Sequence, residues 1–282
     1  MRFILAIVLF FSLKVSGQVI NGSAPYRVRT AAVSIDTTLQ RFLDSTGITD
    51  ATIKSALVVL VRELRDSLIW DSLDVIYPFV GGTATTHKYN LKNPSIYTAQ
   101  YSGTYTHSST GIIPTSGSTY INTGYNFRTA SKDKNSCHVS FYSRTNLVGA
   151  TAVMGVYDGT NETSIYPRYT GDVTYAAINS NSAANIKTGT TTSATYYIAY
   201  RNISTYDSLL YLGSSYARNI NSLNTPNIEM YIFALNYNGL ASNYSLHECA
   251  FATIGGGLTT RMATALNIIV EKFNDALSRG VQ

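Results

Sequence analysis

The stretch that decides the fold is residues 249–278, CAFATIGGGLTTRMATALNIIVEKFNDALS. It begins as an apolar strand, passes through a glycine-rich turn at Gly255 to Gly257 that supplies flexible backbone and a Thr cap, and continues as one amphipathic helix over about 259–278. The apolar side chains on one side of that helix are Met262, Ala265, Leu266, Ile269, Val270, Phe273 and Leu277. A helix with such a stripe at the end of a β-rich chain needs an apolar surface to cover it.

A second helical region near the start of the chain supplies a partner for this stripe. The pattern predicts a short helix from Ile35 to Leu43 and a stronger one from Asp50 to Ile69, capped by Thr49 or Asp50. The apolar stripe of the stronger helix consists of Ile53, Leu57, Leu60, Val61, Leu64 and Leu68. We expect the two long helices to pack side by side, so that both ends of the chain close against the rest of the fold.

The middle of the chain has the composition and spacing of a β-sandwich. The sequence contains 22 tyrosines and only 13 % charged residues, and short segments rich in Tyr, Val, Ile and Thr alternate with turns such as Asp158-Gly159 and Asn238-Gly239. This pattern predicts a mainly β fold, an antiparallel sandwich of the jelly-roll kind, with helices from both termini packed together. The segment 228–236, IEMYIFALN, is apolar on both alternating faces, which predicts a central strand whose second side is covered by a helix.

The N-terminus, MRFILAIVLFFSLKVSGQ, has the layout of a secretory leader, with a basic residue followed by an apolar run from Phe3 to Leu13. One interpretation is a cleaved leader over residues 1–17 with a mature start at Gln18, and the other is a retained membrane or assembly anchor. The remaining boundaries are predicted as a helical segment over 18–76, the jelly roll over 77–254 and the C-terminal helix over 255–282.

Charge and cysteines exclude some function classes and leave others open. The net charge of +5 falls to +3 without Arg2 and Lys14 of the leader, and no cluster of Lys and Arg forms a surface for nucleic acid. Alternation places Cys137 on the face of Val139 and Cys249 on the face of Phe251, so both thiols are expected in the core. Two buried free thiols are one alternative, and a disulfide between them, permitted by export, is the other.

The polar residues do not form a recognisable catalytic or metal motif. The acidic residues of the sandwich region are Asp133, Asp158, Glu162, Asp172, Asp207, Glu229 and Glu248. Glycoside hydrolysis needs an acid and a base or nucleophile on either side of the scissile bond, which two acids at positions i and i+2 of a strand could present. No two of these acids have that spacing on a strand. The histidines are His87, His107, His138 and His247, without metal-ligand spacing. No phosphate or dinucleotide fingerprint occurs. We therefore expect no enzymatic activity, no metal and no cofactor, with His138 a surface or hydrogen-bonded residue.

Three stretches together resemble a known family. They are residues 42–94, beginning FLDSTGITDATIKSALVVLVRELRD; the segments SFYSRTN and GVYDGTNETSIYPRYTGDVTYAAINS; and HECAFATIGGGLTTRMATALNIIVEKFNDALSRGVQ at the end of the chain. These resemble the concanavalin A-like lectin/glucanase jelly-roll proteins of bacteriophage virions, which occur as tail and head appendage proteins in phages and prophages of Bacteroidota. The likeness runs from about Ile35 to the end, although Gly256 and Thr260 replace acidic residues of the family pattern and weaken the helix cap.

The resemblance implies a lectin-like, non-enzymatic virion structural protein without a cofactor. It implies that the helical ends dock to other virion proteins while the sandwich loops face outward, with binding of host surface glycans as the further hypothesis. Because particle proteins act as symmetric multimers, a homo-oligomer is expected. The leader-like segment departs from the family, so the alternative is an exported lectin or adhesin of the bacterial cell surface. The glycan-binding residues are unknown at this stage.

Overall fold

The computed structural model describes residues 36–181 and 183–281. The predicted leader over 1–17 and the start at Gln18 lie outside the described residues. Among the helices that are described, none has the length and apolar character needed to cross a membrane. The described residues belong to one compact unit.

The described chain is mainly β, with helices at both ends. The helices are α1 (Thr37–Thr46), α2 (Ala51–Asp66), the short α3 (Ala84–His87) and α4 (Thr260–Ala276), and a 3-10 turn spans Trp70–Ser72. The first strands are β1 (Leu73–Tyr77), β2 (Gln100–Ser102), β3 (Tyr105–Ser108), β4 (Gly111–Pro114), β5 (Tyr120–Asn122), β6 (Cys137–Ser143), β7 (Met154–Tyr157) and β8 (Glu162–Tyr169). The remaining strands are β9 (Val173–Ser180), β10 (Ala184–Thr188), β11 (Tyr196–Arg201), β12 (Tyr206–Tyr211), β13 (Ser214–Asn219), β14 (Tyr231–Ile232), β15 (Leu235–Tyr237), β16 (Leu240–Ser242) and β17 (Cys249–Gly255).

These strands form two sheets that face each other, which confirms the predicted β-sandwich. Within the described residues, the first sheet has eight strands in the order β13-β12-β11-β6-β17-β4-β3, with β1 pairing β17. The second has nine, in the order β10-β9-β8-β7-β14-β5-β2, with β15 and β16 beside β7. The pairing is antiparallel except between β15 and β7. The space between the sheets is filled by buried aromatic and aliphatic side chains that include Tyr77, Phe141 and Ile232.

The helices cover the outer face of the eight-stranded sheet, as the two apolar stripes predicted. Leu57, Leu60 and Leu64 of α2 share one buried cluster with Leu266 and Val270 of α4. The same cluster contains sheet residues whose side chains point away from the sandwich core: Tyr142, Tyr196, Ile198, Leu210 and Phe251. Fully burying one such aliphatic or aromatic side chain contributes roughly 1.5–3 kcal/mol, so the helix layer is an integral part of the fold.

The caps of the two long helices explain where each begins. The Asp50 carboxylate accepts a hydrogen bond from the Ile53 N–H at 2.8 Å, and the Thr259 hydroxyl accepts one from the Met262 N–H at 3.2 Å. Thr259 therefore supplies the cap of α4 although acidic residues of the family pattern are absent. The ammonium of Lys272 on α4 lies 3.2 Å from the Glu63 carboxylate on α2, which joins the exposed edges of the two helices.

The end of the chain is fixed by Arg279, which is 1 % exposed. Its guanidinium donates hydrogen bonds to the carbonyls of Phe79 at 2.8 Å, Pro78 at 2.7 Å and Ala250 at 3.1 Å, and to the Asn274 side chain at 2.8 Å. Burial lowers the pKa of Arg279 to about 10. The segment that follows α4 is thus tied to the β1–α3 connection and to β17.

The glycines at Gly255 and Gly257 have a packing role that the expectation of flexible backbone did not include. A Cβ on Gly255 would lie 2.2 Å from the Ser72 carbonyl oxygen, and one on Gly257 would lie 2.3 Å from the Arg201 carbonyl oxygen. Neither glycine has a positive φ. These glycines are therefore required for the close approach of backbone to backbone where β17 passes into α4.

Two further expectations differ from the structure. The segment 228–236 is not one central strand under the helices, because Phe233 has a φ of 67° and divides it into β14 and β15. Both strands belong to the nine-stranded sheet, on the side of the sandwich away from the helices. The strand β1 lies within the segment assigned to helices, since Leu73 to Tyr77 pair with β17 and begin the eight-stranded sheet.

Candidate functional site

The two sheets differ in what lies on their outer faces, and this difference locates the candidate site. The outer face of the eight-stranded sheet is covered by α1, α2 and α4. The outer face of the nine-stranded sheet carries tyrosine side chains instead, of which Tyr166 and Tyr231 are buried and the others are partly exposed. We call this surface the tyrosine face, and it consists of Tyr120, Tyr157, Tyr166, Tyr169, Tyr175, Tyr231 and Tyr237.

Three of these tyrosines form a compact group on β8 and β9. Tyr166 lies directly opposite Tyr175 in the ladder, so both side chains point to the same side of the sheet. A register shift between Tyr166 and Tyr169, at Pro167, turns the Tyr169 ring onto Tyr175. The rings of Tyr169 and Tyr175 are stacked, with centroids 4.7 Å apart and an interplanar angle of 10°. Tyr166 meets Tyr169 edge-on at 6.2 Å.

A second stacked pair lies on β5 and β14. Tyr231 is opposite Asn122 in the ladder, which places it diagonally next to Tyr120 on the same face. The ring centroids are 4.4 Å apart and the planes differ by 20°. Burial raises the pKa of Tyr231 to about 12, with further contributions from Tyr120 and Glu229, so the hydroxyl stays protonated at neutral pH and can donate a hydrogen bond.

Two predicted hairpin turns position the third pair. The turn at Asp158-Gly159 follows Tyr157, and the turn at Asn238-Gly239 follows Tyr237; both Asn238 and Gly239 have positive φ, at 54° and 90°. The Tyr157 and Tyr237 rings are tilted, with centroids 5.2 Å apart. Tyr237 is 50 % exposed, so its ring extends the tyrosine face toward solvent.

Small and apolar residues link these groups of rings. Gly155 on β7 leaves room for Leu235, because a Cβ there would lie 2.7 Å from the Leu235 Cδ1. Leu235 packs with Ala152 and Tyr166 in a small cluster of its own, with Tyr157, Tyr169 and Tyr175 around it. The tyrosine face is therefore a set of rings held on a rigid apolar base.

The loop beside Tyr157 is held rigid by Asp158. Its carboxylate accepts hydrogen bonds from the backbone N–H groups of Thr160 at 3.1 Å, Asn161 at 2.8 Å and Asn227 at 2.9 Å. Partial burial alone would raise the pKa of Asp158, but these hydrogen bonds and that of the Asn161 side chain outweigh it, and the pKa is lowered. Asp158 thus joins two loops at the end of the sheet.

The buried Glu162 is the other acid at this surface. Its carboxylate accepts hydrogen bonds from the Ser164 hydroxyl and from the Ala183 N–H, both at 2.7 Å. Burial raises the pKa of Glu162, and these hydrogen bonds reduce the shift. Both carboxylate oxygens are used to hold the residue before β10 against β8. Glu162 and Asp158 therefore have structural partners in this structure.

The histidines are distributed differently from what their spacing suggested. His138 is fully buried, with Nδ1 2.5 Å from the Gly256 carbonyl oxygen and Nε2 3.0 Å from the Thr253 hydroxyl. His87 and His107 are brought together, with their Nδ1 atoms 3.0 Å apart. No local sequence signal announces this contact, because it arises from the packing of α3 against β3. Among the described residues, no group of three or more His, Cys, Asp or Glu side chains is arranged to hold a metal ion.

The disulfide between Cys137 and Cys249 is not formed, and both residues are buried free thiols. They lie on neighbouring strands but at opposite ends, since Cys249 pairs with Ser143 and Gly255 pairs with His138. Six residues of strand separate the two ends by about 20 Å, far beyond the reach of a disulfide. Cys249 also faces the sandwich core while Phe251 faces the helices, because a bulge at Ala250 reverses the alternation.

The sequence matches no protein-family model and none of the curated proteins. The structure is similar to domain 4 of a GH43 extracellular arabinanase from Geobacillus stearothermophilus in complex with arabinotriose, with 13% identity, a TM-score of 0.43 and coverage of 70% of this chain and 98% of that chain. It is also similar to the CBM40 of an IT-sialidase from Ruminococcus gnavus, with 9% identity, a TM-score of 0.38 and coverage of 49% and 86%.

A mutant of Trypanosoma rangeli sialidase displaying trans-sialidase activity gives 8% identity and a TM-score of 0.43, and the match covers 81% of this chain and 40% of that chain. All of these structures are of carbohydrate-binding or carbohydrate-cleaving proteins. At these TM-scores the likeness carries no argument about a ligand or a reaction, so function must come from the side chains of this chain.

Proposed function

We propose that this protein is a carbohydrate-binding module and that the tyrosine face is its binding surface. The observation that carries the proposal is the presence of two stacked tyrosine pairs on the sheet surface that the helices leave uncovered, in which Tyr120, Tyr169 and Tyr175 are partly exposed and Tyr231 is buried. Tyrosine is a good strand residue in its own right, but strand formation alone does not require rings of neighbouring strands to be stacked and exposed together.

Aromatic rings suit sugars because the face of a pyranose presents C–H groups that pack on an aromatic plane, while the tyrosine hydroxyl adds a hydrogen bond. The pair Tyr169 and Tyr175 and the pair Tyr120 and Tyr231 lie on the same sheet surface but on different strands. Such spacing suits a chain of several sugar units better than a single unit. The sequence pointed to loops as the binding elements, whereas this geometry favours the sheet itself.

We propose that the module is not an enzyme. The support is that Asp158 and Glu162, the acids beside the tyrosine face, hold loops and strand ends through hydrogen bonds to their carboxylates. An acid and base pair for glycoside hydrolysis would need both carboxyl groups directed at the scissile bond.

The test is binding of the purified chain to a printed array of neutral and acidic polysaccharides from bacterial surfaces. The variant with Tyr169→Ala and Tyr175→Ala removes one stacked pair, and Tyr206→Ala is the matched control, because Tyr206 is 40 % exposed on β12 of the other sheet. We expect the double variant to bind about tenfold or more weakly than the control. Equal binding by the two variants would show that the tyrosine face is not the binding surface.

We further propose that the module acts as a bacteriophage virion appendage protein, assembled as a homo-oligomer with other virion proteins and recognising host surface glycans. The support is the family resemblance from about Ile35 to the end. The alternative, an exported cell-surface lectin or adhesin, is supported by the apolar run from Phe3 to Leu13, which lies outside the described residues. N-terminal sequencing distinguishes the two hypotheses. A chain that begins at Met1 in a purified particle supports the virion role, and a chain that begins at Gln18 in the medium of a phage-free culture supports export.

A further inference from the structure

A pocket with different chemistry lies between β1, the segment before β2 and the turn before β6. Its volume is about 360 Å³, within the range of about 300–1,000 Å³ typical of small-molecule sites. We call it the lysine pocket, and the residues that define its chemistry are Asp74, Lys92, Asn93, Ile96, Tyr97 and Lys132. It combines cations, an amide and apolar side chains, and none of its residues belongs to the tyrosine face.

The backbone around the lysine pocket is held in an unfavourable conformation. Tyr97 has a φ of 54°, in the left-handed region that side chains other than glycine rarely adopt. The buried Tyr77 hydroxyl donates a hydrogen bond to the Tyr97 carbonyl oxygen at 2.5 Å, and the Tyr97 ring packs edge-on against Tyr125 at 5.0 Å. Ser131, next to Lys132, also has a positive φ of 54°. Strained residues that the surrounding structure holds in place are concentrated at ligand sites.

One of the two lysines is neutralised within the fold. The Lys132 ammonium lies 2.7 Å from the Asp74 carboxylate, which also accepts a hydrogen bond from the Tyr125 hydroxyl at 2.6 Å. Tyr125 is buried and the Lys132 and Asp74 side chains are about three-quarters buried, so this arrangement balances the charge of Asp74 with that of Lys132. It therefore leaves the second lysine as the source of net positive charge in the pocket.

Lys92 is compensated much less. Its ammonium lies over the Trp70 ring at 4.3 Å and donates a hydrogen bond to the Trp70 carbonyl oxygen at 2.5 Å. Its nearest carboxylate is that of Asp71, 3.9 Å away on a fully exposed side chain. Arg65, on the same tryptophan, is paired with Asp36 at 2.9 Å. Desolvation lowers the pKa of Lys92, and a bound anion would offset that cost.

The other walls of the lysine pocket suit a polar ring. Asn93 uses its side-chain oxygen to accept a hydrogen bond from the Ser95 N–H at 3.1 Å, so its amide N–H groups can donate to a ligand. Ile96 is 46 % exposed and provides an apolar contact beside Tyr97. One charged donor, one amide donor and an apolar wall match a sugar ring that carries a carboxylate.

We propose that the lysine pocket binds a single sugar unit of the uronic acid class. The carboxylate pairs with Lys92, hydroxyl groups accept hydrogen bonds from Asn93, and the C–H face of the ring contacts Ile96 and Tyr97. This site is separate from the tyrosine face. An acidic polysaccharide would therefore bind at two places, with its sugar rings on the sheet and its carboxylate in the pocket.

The test is calorimetric titration of the full chain with sodium glucuronate, with glucose and sodium acetate as comparison probes. We expect glucuronate to bind more tightly than either probe, because only glucuronate has both the charge and the ring. The Lys92→Met variant removes the charge but keeps a long unbranched side chain, and it should weaken glucuronate binding about tenfold or more. Lys88→Met is the matched control, because Lys88 also lies over an aromatic ring, that of Tyr89 at 4.9 Å, but outside the pocket.

Equal affinity for glucuronate and glucose, or undiminished binding by Lys92→Met, would overturn the proposal. Acetate binding as tightly as glucuronate would also overturn it, since the pocket would then recognise charge without the ring. Asn93→Ala provides a second variant if Lys92→Met unfolds at a lower temperature, and it should also weaken glucuronate binding. The double variant of Tyr169 and Tyr175 should bind glucuronate as tightly as the natural chain does. The outcome for the lysine pocket therefore does not depend on whether the tyrosine face binds sugars.

Discussion

Acidification should destabilise this protein through its buried histidines. His138 and His247 are buried and neutral, and burial lowers the pKa of each to about 4. His87 is also buried, and desolvation together with the neighbouring His107 and Arg279 lowers its pKa to about 3. An unfolded chain restores the ordinary histidine pKa of about 6.5. Since the unfolded state binds protons that the folded state does not, stability is full above pH 6.5 and is lost as the pH falls below it.

The size of the stability loss follows from the pH range between the unfolded and the folded pKa values of these histidines. Each pH unit below 6.5 costs about 1.4 kcal/mol per histidine until the folded pKa is reached, so a change from pH 7 to pH 5 costs about 2 kcal/mol for each. Three such histidines together account for about 6 kcal/mol, comparable with the whole stability of a typical domain. Glu162 partly offsets this loss of stability at low pH. Burial raises its pKa, so the folded state binds the Glu162 proton more tightly than the unfolded state does.

The structure explains why protonation is so unfavourable at His138. Its Nδ1 is placed to donate to the Gly256 carbonyl oxygen, and its Nε2 to accept from the Thr253 hydroxyl, which is also 2.6 Å from the Ser140 hydroxyl. A proton on Nε2 would remove the acceptor and place a charge in the desolvated core.

The assay is urea unfolding followed by tyrosine and tryptophan fluorescence at pH values between 4.5 and 7.5, for the natural chain and for His138→Asn. The variant should be less stable at pH 7 but should lose about 2 kcal/mol less between pH 7 and pH 5. A free energy of unfolding that stays constant to within about 0.5 kcal/mol over this pH range would refute the reasoning, since it would mean that these histidines take up protons as readily in the folded state as in the unfolded state.

Three further predictions concern packing and the thiols. Gly257→Ala should lower the free energy of unfolding by about 2 kcal/mol or more in urea titrations, because the added Cβ meets the Arg201 carbonyl; an unchanged midpoint would contradict that packing. Arg279→Met should cost about 3 kcal/mol by leaving buried carbonyls of Pro78 and Phe79 without donors, and a stabilised variant would contradict it. Both cysteines should resist a thiol reagent until the chain unfolds, and fast labelling in the native state would show that they are accessible.

The layered architecture was predictable because its signals are local and periodic. Residues 259–278 and 50–69 carry apolar side chains at helical spacing, and the structure has α4 and α2 there, packed together on one sheet. The turns at Asp158-Gly159 and Asn238-Gly239 were recognisable because their residues tolerate positive φ. In each of these cases a few neighbouring residues determine the local conformation.

What could not be predicted depends on residues that are distant in sequence or on single backbone irregularities. The positive φ at Phe233 divides an apparently continuous strand, and the bulge at Ala250 places Cys249 and Phe251 on opposite faces. The requirement for Gly257 comes from the Arg201 backbone, far away in the chain. None of these three effects changes the local pattern of apolar residues, so none is visible in it.

The sequence predicted the class of ligand for the candidate sites but not where those sites lie. The family resemblance suggested binding of glycans, but whether a tyrosine lies in the core or on the surface depends on which sheet face the helices cover. Tyr196 and Tyr169 illustrate this, since both are strand tyrosines and only Tyr196 lies beneath the helix layer. The lysine pocket likewise depends on tertiary packing that brings Lys92 and Lys132 to one cavity.

The central claim, that sugars bind on the tyrosine face, is tested most directly by following tyrosine ring signals in NMR spectra. The probe is the neutral oligosaccharide that binds most tightly on the glycan array, and the signals are assigned with single Tyr→Phe variants. We predict that the ring signals of Tyr169, Tyr175, Tyr120 and Tyr231 shift with the bound fraction while that of Tyr206 does not. Shifts confined to other tyrosines, with those four unchanged at saturation, would contradict the account.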